Sequence, residues 1–194
     1  MDVKDVFVGS EQALTRVVDQ IGDHQWTMAM PADFQTRGGE RLTLREVINY
    51  HAYDDAWVPE VLAGKTIAEV GDAHDGDLLG DDPKASWHRI VDTAVAAVKG
   101  CDDLDRTVHL TYGDWPAREY LRHIISFRAL RAIDIARVIG VDDRLPDDLV
   151  QGVWDTIAPD AEQWRTMGVF GPAVEVPDHA DLQSKLLGIT GRQP

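Results

Sequence analysis

Four stretches of this chain place apolar residues at three- and four-residue intervals, and each lies between residues that start or stop helices. The spacing predicts a first helix over about 10–22, with Ser10 as N-cap and Leu14, Val17, Val18 and Ile21 on one face. A second covers about 43–62. Thr43 and Glu46 form a capping box there, Gly64 supplies the stop, and Pro59 should kink or shorten the last turn. A third covers about 83–99, with Pro83 in its first turn, Gly100 at its end and Trp87, Ile90, Val91, Ala94 and Val98 as its apolar stripe. The fourth covers about 115–139, capped by Asp114 and stopped by Gly140, with Tyr120, Leu121, Ile124, Leu130, Ile133 and Val138 inward. Such a chain must bury helix faces against one another, which predicts an all-α bundle.

The connections differ in character. Residues 24–42 are polar and carry Gly38-Gly39, and 65–82 are rich in Asp and Gly. Thr107–Tyr112 alternates weakly and reads as a short extended piece. Beyond Gly140, residues 146–167 predict one or two shorter helices, 168–179 an extended run and 180–188 a last short helix. The expected organisation is a helical bundle over 1–142 with a helical and extended segment over 143–194 packed on it.

Charge narrows the function classes. The 194 residues carry 34 acidic and 19 basic side chains, a formal charge of −15. Such a chain repels phosphate backbones and anionic lipid, so neither nucleic acid nor membrane is an expected partner. Cys101 is the single cysteine, so no internal disulfide and no multi-cysteine zinc site can form. No signal-peptide pattern opens the sequence, which leads to the expectation of a cytoplasmic protein.

Few residues suggest chemistry. His24, His74, His88, His109 and His179 lie in polar or turn-like stretches and read as solvated. The aspartates between Asp72 and Asp82 lack the spacing and closing Glu of an EF-hand and read as an acidic loop. Aspartates follow Cys101, which disfavours a thiolate nucleophile. His51 and Asp55, and Glu119 and His123, stand four apart on helices, so each pair shares a face. Inward-facing pairs of this kind hold metals in bundles, but the pattern alone favours surface ion pairs, worth about 0.3–0.5 kcal/mol.

Several ordered stretches carry a resemblance. They are Thr43–Asn49, Trp57–Gly64, Gly76–Pro83, Gly113-Asp114-Trp115-Pro116, Glu119-Tyr120-Leu121, Asp134-Ile135-Ala136-Arg137 with Gly140, and Thr190-Gly191-Arg192. Together they resemble the DinB and mycothiol-dependent maleylpyruvate isomerase superfamily, and more closely its actinobacterial metal-binding group. The resemblance implies a four-helix bundle with a divalent metal between the second and fourth helices. It implies as ligands a His on the second helix and a carboxylate and a His four residues apart on the fourth, supporting thiol-dependent isomerisation or transfer.

The sequence departs from that pattern at the metal. Tyr50 follows Asn49 where the resemblance calls for His, and Phe127 and Arg131 occupy the carboxylate and His positions. Phe has no donor atom, and a guanidinium has no lone pair to give a metal. The expectation is therefore a degenerate, metal-free site with no cofactor. Arg131 would take over part of the metal's charge, with Tyr50 or Asp54 or Asp55 beside it, or else the position is simply filled by packing residues and Arg131 extends outward. The leading reading is a small-ligand binding or regulatory protein whose cleft is lined by Tyr50, Phe127 and Arg131, with Arg131 suited to an anion. The alternative is a zinc- or nickel-dependent, thiol-dependent enzyme with a shifted ligand set, His51, Glu119 and His123. A third reading is a structural module, and the resemblance makes a homodimer possible.

Overall fold

Asp2 opens the first helix, because its carboxylate accepts the Asp5 amide and leaves Val3, Val6 and Phe7 to begin an apolar face. A computed structural model describes residues 1–32, 34 and 41–194, and in it α1 runs Val3–Val18. The predicted start at Ser10 is corrected. Ser10 is buried inside the helix, and its hydroxyl donates to the Val6 carbonyl at 2.8 Å. The expectation for Gly38-Gly39 lies outside the described residues.

The second helix, α2 (Leu44–Leu62), has the predicted capping box, and it ends at Ala63 before Gly64, whose φ of +81° suits glycine. Pro59 does not cut it short. A single turn, α3 (Ile67–Val70), lies in the acidic stretch, where no helix was predicted. The next helix, α4 (Pro83–Gly100), is capped by Asp82, and all five predicted stripe residues are buried. Residues 107–110 and 113–116 form strands β1 and β2 of an antiparallel hairpin. The hairpin claims Asp114, which pairs with His109 at 2.8 Å instead of capping a helix. The long helix α5 therefore starts later than predicted, at Ala117, and runs to Ile139 with Gly140 left-handed at φ +77°. Beyond it come α6 (Asp147–Ile157), α7 (Ala161–Thr166) and α8 (Leu182–Ile189), while 168–179 contains no strand.

The structure is thus mostly helical, with one two-stranded sheet. The element α1 packs against both α5 and α4, and α2 packs against α4, whereas α2 and α5 approach each other less closely. Phe7, Leu14, Ile48, Trp87, Leu121 and Ile133 are among the residues sealed in the core. Trp87 keeps its indole satisfied by donating to Thr15 Oγ1 at 3.0 Å. Among the described residues no helix is long and apolar enough to cross a membrane.

The segment after Gly140 is tied to the helices before it. The element α6 packs on α1 and α5, and α8 packs on α6. Gln183 clamps the connection from α5 by accepting from the Leu145 amide at 2.9 Å and donating to the Asp143 carbonyl at 3.1 Å. Arg192 donates to both oxygens of Asp134 on α5 at 2.9 Å. Such a planar fork fixes orientation as well as position.

The α6–α1 contact is tight at Gly152, where an added Cβ would stand 2.6 Å from Val6 Cγ2. Gly152→Ala should therefore lower stability by about 1–3 kcal/mol despite the better helix propensity of Ala. Thermal or denaturant unfolding checks this, and Val6→Ala in the same chain should recover part of the loss.

Candidate functional site

Where α2 and α5 stand apart, a long side chain spans the gap. Arg128 lies on the inward stripe of α5 with Leu121, Ile125 and Ala132, so its guanidinium is carried into the core with 1% of its surface exposed. Its Nε donates to Glu11 Oε1 of α1 at 2.7 Å. Its Nη2 donates to Asp55 Oδ1 and, at 3.3 Å, to the His51 carbonyl of α2. Glu11 and Asp55 are each fully buried. Burial pushes both carboxyl groups upward from their ordinary values, Asp55 strongly, while Arg128 pulls them back down. The two carboxyl groups hold Arg128 in its protonated form against the same burial.

The expected surface ion pair of His51 and Asp55 is corrected by this arrangement. Both residues are buried, and Asp55 pairs with Arg128. Burial, with the cations of Arg128 and then Arg131 close by, holds the His51 imidazole well below its usual value and therefore neutral. Its Nδ1 has no hydrogen-bond partner among the described residues. The ring stands edge-on to Tyr50 at 5.9 Å.

Arg131 sits one turn nearer the end of α5. Its guanidinium lies over the Phe34 ring at 4.5 Å and is 3.5 Å from Asp134. Asp134 also holds Arg192, so the segment after α8 reaches this position. The pairing of Arg131 with Asp55 that the sequence suggested is not formed, because Arg128 takes Asp55.

Glu119, His123, Phe127 and Arg131 follow at four-residue intervals and form the less buried stripe of α5. Phe127 is 44% exposed and stacks on Trp164 of α7 at 6.4 Å, and Trp164 in turn stacks on Phe170 at 5.4 Å. His123 accepts or donates at Nδ1 to the Tyr112 hydroxyl at 3.1 Å and meets Trp115 and Trp164 edge-on. Burial lowers its pKa, against the pull of Glu119. Glu119 pairs with Arg122, which also reaches Asp160 at 2.9 Å. The hairpin, α5 and α7 thereby place an aromatic surface around His123 and Phe127, with Arg131 one turn further along α5.

Tyr50 and Arg131 are within electrostatic reach of each other, while the ring contact of Phe127 is with Trp164. His51, Glu119 and His123 have separate surroundings: the Tyr50 ring, the Arg122 guanidinium and the Tyr112 hydroxyl. Among the described residues no three His, Cys, Asp or Glu side chains converge as a metal-holding group. The acidic loop is itself clamped by α2. Arg45 pairs with Asp77 at 2.8 Å, and the Asn49 side chain bonds Gly76 and Leu78 at 2.9 and 2.8 Å. His74, expected to be solvated, packs edge-on against Trp57 at 5.5 Å with its Nε2 buried.

No protein-family model matches the chain, and neither a curated protein nor a solved structure matches it.

Sequence reading missed Glu11 and Arg128, although a signal was present. Glu11 interrupts an apolar face between Phe7 and Leu14, and Arg128 does the same between Ile125 and Ala132. A charge at a core position needs a partner of opposite sign. Removing Arg128 alone should therefore cost about 3–5 kcal/mol, because two buried acids lose their cation. Arg45→Ala, which breaks an exposed pair, should cost about 1 kcal/mol or less. Urea unfolding of the two variants checks the contrast.

Proposed function

We propose that this chain is a divergent DinB-like four-helix bundle that binds a small anionic ligand and serves as a binding or regulatory protein. The reading rests on one observation: Arg131 and Phe127 lie one turn apart on the less buried stripe of α5, about 6 Å along the axis. A cation and an exposed ring at that separation suit an aromatic carboxylate. The guanidinium would take the carboxylate in its planar fork. Phe127, stacked on Trp164, would take the ring in an offset face-to-face or edge-on contact. Tyr50 borders the cation on the α2 side.

The replacement of a metal by Arg131 fits the same chemistry. A divalent cation attracts an anionic group by charge, and a guanidinium does so with directed N–H donors. No lone pair is available from Phe127 or Arg131 to hold a metal in the position that the resemblance suggests.

Two measurements test this reading. Benzoate or phenylacetate at millimolar concentration should raise the melting temperature more than acetate does. Arg131→Met should weaken that binding about tenfold to a hundredfold, the range for a hydrogen bond to a charged group, and Phe127→Ala should weaken it less. A rise that is equal in Arg131→Met, or none for any carboxylate, contradicts the proposal. Elemental mass spectrometry on protein purified without added metal should find no stoichiometric zinc or nickel. One equivalent per chain would turn attention to His51, Glu119 and His123.

A further inference from the structure

The buried ion cluster contains two acceptors without donors. Glu11 Oε2 and Asp55 Oδ2 are sealed from solvent, and neither has a hydrogen-bond partner among the described residues. The other oxygen of each carboxyl is held by Arg128. The two carboxyls thus meet at one guanidinium, each with an oxygen that no donor reaches. An ionised carboxylate only accepts; a proton on one of the pair supplies a donor.

Charge leads to the same place. Two carboxylates on one guanidinium would bury a net negative charge, and an uncompensated charge in the core is costly. We infer that Glu11 and Asp55 share a single proton at neutral pH, so that the Glu11–Arg128–Asp55 cluster is neutral and the proton is a structural ligand joining α1 to α2.

The surroundings keep the proton in place. On α2, Asp54 adds a further negative charge beside Asp55, and His51 is neutral, so neither supplies a second cation. On α5, Tyr120 is buried and driven further toward its neutral form by Asp54 and Asp55, while Arg131 acts on His51 and Arg128. Among the described residues, no titratable group from α4 or α6, the other elements packed on α1, is among those acting on Glu11. Burial raises both carboxyl pKa values, consistent with retention of a proton.

Linkage gives the sign. A carboxyl whose folded pKa is raised contributes stability that is complete below the unfolded value of about 4 and is lost as pH rises toward the folded value. In Asp55→Asn or Glu11→Gln, an amide N–H replaces the proton and the remaining carboxyl ionises against Arg128. The unfolding equilibrium constant of the native protein, divided by that of either variant, should therefore rise tenfold per pH unit above about pH 4, until the folded value is passed. Infrared spectroscopy reads the proton directly. Glu11 and Asp55 are the only buried carboxyls among the described residues, and a protonated carboxyl C=O band at pH 7 that both variants lose is assigned to them.

The expected result is that band in the native protein and its loss in both Asp55→Asn and Glu11→Gln. If neither variant folds, the native spectrum decides alone. Absence of the acid band at pH 7 overturns the inference. So does a stability ratio that falls or stays flat as pH rises from 4 to 7.

Discussion

The guanidinium of Arg128 is the constraint from which the rest of the structure follows. It joins α1, α2 and α5 at a single buried point through Glu11, Asp55 and the His51 carbonyl. Apolar packing supplies the bulk of the driving force, but it is non-directional and fixes neither register nor separation. The ion cluster does fix them, because each partner must meet a particular nitrogen. Along the outer stripe of the same helix, Arg131 lies over Phe34, and His123, two turns earlier, meets Trp115 of the hairpin.

The helix α5 carries both the structural and the proposed functional residues, on adjacent positions. Arg128 points inward and Phe127, its neighbour in sequence, is exposed; Ala132 is buried and Arg131 is less so. One residue is about 100° of rotation, so the two stripes are separate faces of one rod. Changes on the outer stripe can alter what the surface recognises while the ion cluster that holds the helix stays intact. The proposed loss of a metal site on this stripe therefore need not have disturbed the fold, since the cation that organises the interior is Arg128 and not the group at position 131.

Much of the helical structure was legible because its signals are local. The capping box of Thr43 and Glu46, the stop at Gly64, and the stripe from Trp87 to Val98 depend on residues within a few positions of one another. The misplaced boundaries arose where two local signals competed. Ser10 resembles a cap but is buried within α1, and Asp114 resembles a cap but is claimed by His109 across the hairpin. The site was less legible because its partners are distant in sequence. Arg128 is 117 residues from Glu11 and 73 from Asp55, so only the tertiary fold assigns them to each other. Tyr50, Phe127 and Arg131 could be selected by resemblance, whereas the stacking of Phe127 on Trp164 depends on how the chain returns after Gly140. The charged interruptions of apolar faces at positions 11, 55 and 128 are the sequence signal that, weighed together, would have pointed to the cluster.

The account depends most on Arg128 being a buried, fixed cation, and nitrogen-15 nuclear magnetic resonance of the arginine side chains tests that directly. The account predicts that the Arg128 Nε–H, bonded to Glu11 and sealed from water, gives a resolved signal that exchanges slowly with solvent even at mildly alkaline pH. The exposed Arg118 should exchange rapidly under the same conditions. An Arg128 Nε–H that exchanges as fast as that of Arg118 would contradict the account, because the three helices would then lack the buried tie on which their arrangement is argued to depend.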